Sequence, residues 1–258
     1  MKTKIWVVLL LLMASLESMS LLHTSNDNNG FQNAPKIDSC KATKVFNMLV
    51  TYKHLHLKSD FPAPYKYEFK TTLFINDSVA QYVYKREEKV FRIANYRITA
   101  HKHYYVNDYY FKKDLMRELR ILDEGKIYAE WKPEYQWEIT DDTKTIKGYT
   151  VRKAVTNSIE VEPGEPGYNG KVYAWFTEEI PLPVGPDRYV GLPGLILEIE
   201  YENTNIKTTL ESIQNNVDYK LVDTRQGVRM ADKLDVIYFY HKHPRLVRKA
   251  LKKAQQQN

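Results

Sequence analysis

The chain has 258 residues, of which 43% are hydrophobic, 27% charged and 13% aromatic. These proportions are those of an ordinary globular protein, and they exclude a collagen-like, coiled-coil or largely disordered chain. A single cysteine, Cys40, excludes a disulfide framework and a cysteine-ligated zinc site. Residues 236–258 carry six Lys and Arg and no acid, which equals the net charge of +6 for the whole chain. The rest of the chain is therefore close to neutral, and a broad nucleic-acid-binding face is not expected.

The N-terminus, residues 1–20, has the pattern of a signal peptide. Lys2 and Lys4 precede an apolar run over residues 5–13, which is too short for the roughly 20 residues that a membrane-spanning helix needs. We therefore expect an exported protein. Cys40 lies far beyond this run, so we do not expect a lipid on it, and residues 21–42 read as a polar leader.

Residues 43–230 predict an antiparallel β domain. Runs rich in β-branched and aromatic residues recur every 8–12 positions and are separated by Asp, Asn and Gly turns, without the helical segments of a parallel sheet. The predicted strands are residues 45–52, 65–75, 79–84, 90–99, 104–111, 126–131, 135–140, 145–155, 171–176, 195–201 and 205–213.

Residues 231–258 predict a helical, basic tail. A helix is expected over 245–254, where Leu246, Val247 and Leu251 form a stripe opposite the basic residues, whereas a strand remains an alternative for 234–240. Such a segment suits a peripheral, salt-sensitive contact with an anionic membrane, although packing of the stripe on the sheet is the commoner arrangement.

Six of the seven histidines occur in His-x-His pairs. On a strand, residues i and i+2 share a face, so two pairs brought together would form a transition-metal site, for which the weak candidates are His54, His56, His101 and His103. Exposed surface histidines are the alternative explanation.

The densest run of Pro and Gly lies between residues 175 and 196. Pro181 and Pro186 predict the end of a strand and a stiff crossing loop, and three glycines permit a positive φ or a close backbone approach. Alternation predicts that Leu195, Leu197 and Ile199 share one face of the next strand. The candidate motif and binding residues are Trp175, Pro181, Gly185, Pro186, Tyr189, Gly191, Leu192, Pro193 and Gly194.

The string Gly-Leu-Pro-Gly-Leu-Ile at 191–196 resembles the signature of the GLPGLI family, and residues 175–177, 180–181 and 185–189 resemble its aromatic and proline lead-in. The likeness extends over most of residues 45–215. It implies export to the periplasm or cell envelope of a Gram-negative bacterium. It also implies a single curved antiparallel sheet, an open half-barrel similar to the periplasmic lipoprotein carriers, with helices on the concave face. The family has no settled biochemical function.

No nucleophile elbow, zinc-protease motif or phosphate loop is present in the sequence, so neither an enzyme nor a cofactor is expected. We expect an exported, non-enzymatic binding protein that holds a lipid, a lipoprotein segment or a peptide of an envelope partner in the concave sheet. The alternative is a metal-handling envelope protein that uses the His-x-His pairs.

Overall fold

The computed structural model describes residues 47–58, 65–87, 89–93, 96–100, 103–123, 125–157, 170–202 and 206–231, together with Lys233, Val236 and Lys252. The predicted signal peptide, the polar leader, Cys40 and His101 lie outside these residues. The predicted C-terminal helix also lies outside them, apart from single positions, and stays a prediction.

The described chain is mainly β. Its strands before residue 132 are β1 (Met48–Lys58), β2 (Tyr65–Ile75), β3 (Val79–Arg86), β4 (Lys89–Ile93), β5 (Tyr96–Ala100), β6 (His103–Tyr110), β7 (Leu115–Leu122) and β8 (Gly125–Trp131). The later strands are β9 (Glu138–Ile146), β10 (Tyr149–Asn157), β11 (Lys171–Thr177), β12 (Leu195–Tyr201), β13 (Ile206–Asn215) and β14 (Val228–Arg229). A short 3₁₀ turn, Phe111–Lys113, joins β6 to β7. No helix among these residues is long and apolar enough to cross a membrane.

Twelve strands form one open sheet in the order β14-β8-β7-β6-β3-β2-β1-β13-β12-β11-β10-β9. The expected antiparallel sheet is confirmed in outline, with two corrections. Strand β14 pairs with β8 in the parallel direction, and β4 and β5 form a separate two-stranded sheet. The sheet is therefore neither single nor wholly antiparallel.

Two of the predicted strands differ from the observed ones, and one observed strand was not predicted, for local reasons. The run 90–99 is the β4–β5 hairpin rather than one strand. The run 145–155 is broken by a tight turn in which Lys147 and Gly148 have φ values of 51° and 91°. Strand β7 was not expected at all, because three charged residues interrupt its apolar run.

The sheet has an inner and an outer face, which we define by what covers them. The strap, residues 178–194, joins β11 to β12 and covers the inner face, where Tyr105, Asn107 and Glu118 contact it. The outer segment, residues 216–227, joins β13 to β14 and covers the outer face of β3, β6 and β7. The core lies mainly between the inner face and the strap, and includes Met48, Val50, Tyr52, Leu73, Tyr82, Val184, Val190 and Leu210.

Candidate functional site

The strap is a compact hairpin of its own rather than an extension of the sheet. Val184 and Val190 form an isolated bridge, and the backbone N–H of Gly191 donates to the carbonyl of Pro183 at 3.0 Å. Its prolines lack the N–H that a further sheet ladder would require. Pro181 and Pro193 are exposed, whereas Pro186 is buried at the tip of the strap.

The three motif glycines have two different roles. Gly191 has φ +94°, a conformation that favours glycine, and its missing side chain faces open space. Gly194 and Gly185 instead allow close packing. A Cβ on Gly194 would lie 2.0 Å from the carbonyl oxygen of Thr177, and one on Gly185 would lie 2.5 Å from Cβ of Ile196.

Tyr189 and Leu192 seat the strap on strands β10 to β12. Both are 1% exposed and belong to a cluster that includes Phe176 and Ile196. The crossover, residues 132–137 between β8 and β9, lies against them. Its Trp137 donates from Nε1 to the carbonyl of Val190 at 2.9 Å.

Trp175 packs against a different cluster, the one that contains Val184 and Val190 of the strap. It lies between Ala174 and Phe176, which pack with the strap, so alternation directs Trp175 to the opposite side of β11. There the ammonium of Lys144 lies 3.9 Å from the ring centroid. Lys144 also pairs with Glu198, directly opposite Trp175. Burial would raise the pKa of Glu198, but hydrogen bonds from Lys144 and Lys207 lower it.

A buried group of four charges holds the tip of the strap to the inner face. Glu118 is 0% exposed and accepts from Arg188 of the strap at 2.6 Å and from Arg120 of β7 at 2.8 Å. Arg188 also pairs with its neighbour Asp187 at 3.3 Å. Burial would raise the pKa of Glu118, but Arg188 and Arg120 outweigh it and the pKa is lowered. We call these four residues the ion quartet.

Asp187 is the second attachment point of the strap. It adopts φ +61°, and its Oδ1 accepts from the hydroxyl of Tyr105 at 3.1 Å and from Nδ2 of Asn107 at 3.2 Å. A small cavity, no larger than a water molecule, lies beside this contact between the strap and Leu73, Tyr82 and Asn107.

A row of aromatic rings runs along the inner face towards the ion quartet. Successive ring centroids lie 4.5–5.8 Å apart, and the guanidinium groups of Arg120 and Arg188 lie 5.2 and 5.3 Å from the last ring. Asp187 and Arg188 of the strap contact the row at this end, whereas the side chains of His54 and Phe69 are half-buried. The aromatic row consists of Tyr67, Phe69, His54, Tyr84 and Tyr105.

The histidine pairs are not brought together. His54 and His56 lie on β1 and His103 on β6, and two strands separate β1 from β6 in the sheet. Three strand spacings correspond to about 14 Å, which is too far for one metal ion to bridge. His54 bonds Thr208 through Nδ1 at 2.6 Å. Within the described ranges, no three His, Cys, Asp or Glu side chains could hold a metal.

The sequence interpretation missed the residues that attach the strap. The predicted motif and binding residues did not include Asn107, Glu118 or Arg120. They also did not include Asp187 and Arg188, although both lie inside the motif. One signal could have found them. A charged pair between the buried Pro186 and Tyr189 requires partners, and the charges within the apolar run of β7 supply them.

Fold and site together define a mainly β chain whose open sheet is covered by a Pro- and Gly-rich strap. Residues 165–198 match a family model described as "Protein of unknown function (Porph_ging)". This stretch contains β11, the strap and the start of β12. A search of curated proteins gives no match.

Two solved structures of PNGF-II, in space groups C2 and P21, are similar to the chain. They are 15% and 13% identical to it, with TM-scores of 0.50 and 0.51. The match covers 75% of this chain and 33% of the PNGF-II chain, so the chain spans about a third of the length of PNGF-II. At this identity the likeness concerns the fold alone.

Proposed function

We propose that the chain is an exported, non-enzymatic binding protein of the cell envelope and a member of the GLPGLI family. It holds an apolar or amphipathic ligand against the inner face of the sheet. The observation that carries this proposal is the aromatic row, because its rings pack on one another in stacked, tilted and T-shaped contacts at one end of a face that is otherwise filled by the strap and the crossover.

The chemistry of the row suits such a ligand. Aromatic rings offer a large apolar area, and tyrosine hydroxyls and the His54 ring add polar groups that orient a ligand. Burial raises the pKa of Tyr84 to about 12, so its hydroxyl stays neutral and can donate a hydrogen bond at physiological pH. The half-buried Phe69 and His54 are the contact points that a ligand would reach first.

The basic C-terminal tail is the proposed membrane contact. Its six positive charges would hold the protein reversibly against anionic lipid head groups, and the attachment would weaken with salt. The metal-handling alternative has no comparable support, since the histidines of β1 and β6 are separated by two strands.

The proposal is tested with cis-parinaric acid, a fluorescent fatty acid, and the exported form of the protein. We expect Phe69→Ala to weaken binding about tenfold, because it removes one of the two half-buried rings of the row. Tyr173→Ala is the matched control, since three strands separate its strand β11 from the β2 of Phe69, and it should leave binding unchanged. Native mass spectrometry of the purified protein identifies the bound material.

Equal binding by both variants, or no saturable binding by the unmodified protein, would remove the aromatic row as the ligand site. Thermal midpoints of all three proteins are measured in parallel, so that a folding defect is not mistaken for lost affinity.

A further inference from the structure

The side chain of Asn107 is only half satisfied. It is 2% exposed, and its Nδ2 donates to Asp187 of the strap. A carboxylate can only accept hydrogen bonds, so the amide nitrogen must face Asp187 and the carbonyl oxygen must face elsewhere. That oxygen, Oδ1, is buried without a hydrogen-bond partner among the described residues, and Asn107 lines the small cavity beneath the strap. A buried acceptor without a donor is unfavourable, so the contact with Asp187 is not the best one that Asn107 can make.

The same sheet contains an amide that is fully satisfied. Gln81 of β3 faces the outer segment, where its Nε2 donates to the carbonyl of Val222 at 2.9 Å and its Oε1 accepts from the N–H of Val222 at 2.8 Å. A side-chain amide thus pairs with a backbone N–H and C=O at once. Asn107 offers the same donor and acceptor on the inner face, and the strap uses only the donor.

We propose that the inner face beneath the strap binds an extended peptide segment, one of whose residues pairs with the side-chain amide of Asn107 once the strap moves aside. This inference rests on the proposed binding function and selects a peptide from the ligand classes. The peptide N–H satisfies Oδ1 of Asn107, and its C=O replaces Oδ1 of Asp187 as the acceptor for Nδ2. Apolar side chains on one side of the extended peptide take the place of Val184 and Val190 against Leu73, Ala80 and Met116.

The charges at the tip allow the strap to leave. On the sheet, Glu118 pairs with Arg120 at 2.8 Å. On the strap, Arg188 pairs with Asp187 at 3.3 Å. Each half of the ion quartet is therefore neutral by itself. Displacing the strap therefore leaves no unpaired buried charge behind. An unpaired buried charge is the usual reason why buried ion pairs resist separation.

The test compares two substitutions at one position. Asp187→Asn keeps an acceptor for Tyr105 and Asn107 and tolerates the positive φ of this residue, but it removes the charge that Arg188 pairs with at 3.3 Å. The strap should then be loosened only in part. Asp187→Ala removes the acceptor for Tyr105 and Asn107 and should loosen the strap. Arg188→Gln loosens the strap at a different contact, the one between Arg188 and Glu118, while Arg120 still pairs with Glu118.

The probe is a dye-labelled, end-capped heptapeptide of alternating valine and serine, and its binding is followed by fluorescence anisotropy. We expect Asp187→Ala and Arg188→Gln to bind it about tenfold more tightly than the unmodified protein, and the affinity of Asp187→Asn to lie between those of the unmodified protein and Asp187→Ala. N-methylation of the central amide, which removes the donor to Asn107, should abolish the gain. Asp187→Asn should also unfold at a higher temperature than Asp187→Ala.

Equal peptide affinities for the Asp187 variants, or a gain that survives N-methylation, would overturn the inference. If cis-parinaric acid binds in a manner sensitive to Phe69→Ala while no variant binds the peptide, the proposed function stands and the peptide assignment is wrong. If neither probe binds, both fail.

Discussion

The two faces of strands β6 and β7 carry two buried carboxylates with opposite properties. Glu118 faces the strap and Asp108 faces the outer segment, and each lies near an arginine. The pKa of Glu118 is lowered, whereas the pKa of Asp108 is raised. Because both carboxylates lie on adjoining strands of one sheet and are almost fully buried, burial alone cannot account for the difference.

The distance to the guanidinium group explains the contrast. Two arginines bond Glu118 directly, and their charges outweigh the loss of solvation. Arg117 is 4.0 Å from Asp108 and is bound instead to Glu130. Burial raises the pKa of Asp108, and the hydrogen bonds from the neutral Thr224, Gln81 and Tyr110 lower it by less.

The coverings differ in the same way as the carboxylates. The outer segment contributes neutral groups to its bonds with the sheet, the backbone of Val222 and the hydroxyl of Thr224, and Tyr219 stacks on Phe74 with the ring centroids 4.7 Å apart. The tip of the strap is held by charges. Removing one partner of a charged contact should therefore lower the free energy of unfolding more than removing one partner of a neutral contact.

The largest expected effect is that of Glu118→Ala. It leaves the guanidinium groups of Arg120 and Arg188 buried without their carboxylate, so the free energy of unfolding should fall by about 3–5 kcal/mol. Asp108→Ala leaves mostly neutral donors unpaired and should lower it by about 1–3 kcal/mol. Urea unfolding of both variants in the same buffer gives the comparison. Equal losses, or a greater loss for Asp108→Ala, would show that the charges of the ion quartet do not distinguish the strap from the outer segment.

Two glycines of the strap give a smaller and more local effect. Gly194→Ala would place a Cβ 2.0 Å from a backbone oxygen, and the resulting shift of the strap should lower stability by about 1–3 kcal/mol. Gly191→Ala has space for its Cβ and is opposed only by its φ of +94°, so we expect a loss of about 1 kcal/mol. Thermal unfolding of both variants measures the difference. A greater loss for Gly191→Ala would mean that backbone conformation, rather than close packing, holds the strap.

The sequence predicted the strands better than it predicted their partners. Alternation and turn residues identify most strands, because these signals are local. The prediction that Ile199 shares a face with Leu195 and Leu197 was wrong. A register shift between Trp175 and Phe176 places Leu195 and Leu197 in one cluster and Ile199 in another. A bulge of this kind depends on the pairing of two strands, and neither strand reveals it alone.

The candidate site was predicted only in part. The Pro and Gly pattern located the strap, since those residues constrain the local backbone directly. The contact between Arg188 and Glu118 joins residues that are 70 positions apart, and nothing in their surroundings specifies the pairing. Trp175 lies on the other side of β11 from Tyr189 and Leu192, but it packs against the cluster that contains Val184 and Val190 of the strap.

The smallest effect is a difference in pH dependence between the faces. A carboxyl group whose pKa is lowered on folding stabilises the folded state at pH values above its unfolded pKa, and this contribution is lost as the pH falls. A carboxyl group whose pKa is raised does the reverse, because the folded state takes up its proton first. The stability of the unmodified protein relative to Glu118→Gln should therefore decrease as the pH falls below the ordinary glutamate pKa of 4.5, towards the lowered pKa.

The stability of the unmodified protein relative to Asp108→Asn should instead increase as the pH falls through the raised pKa towards the ordinary aspartate pKa of 3.8, and then level off. Urea midpoints measured at intervals between about pH 7 and pH 3 give both curves, and subtracting each variant from the unmodified protein cancels the other titrating groups. The two difference curves should have opposite slopes. Slopes of the same sign would mean that Arg117 acts on Asp108 as strongly as Arg188 and Arg120 act on Glu118, and that the 4.0 Å separation does not weaken it.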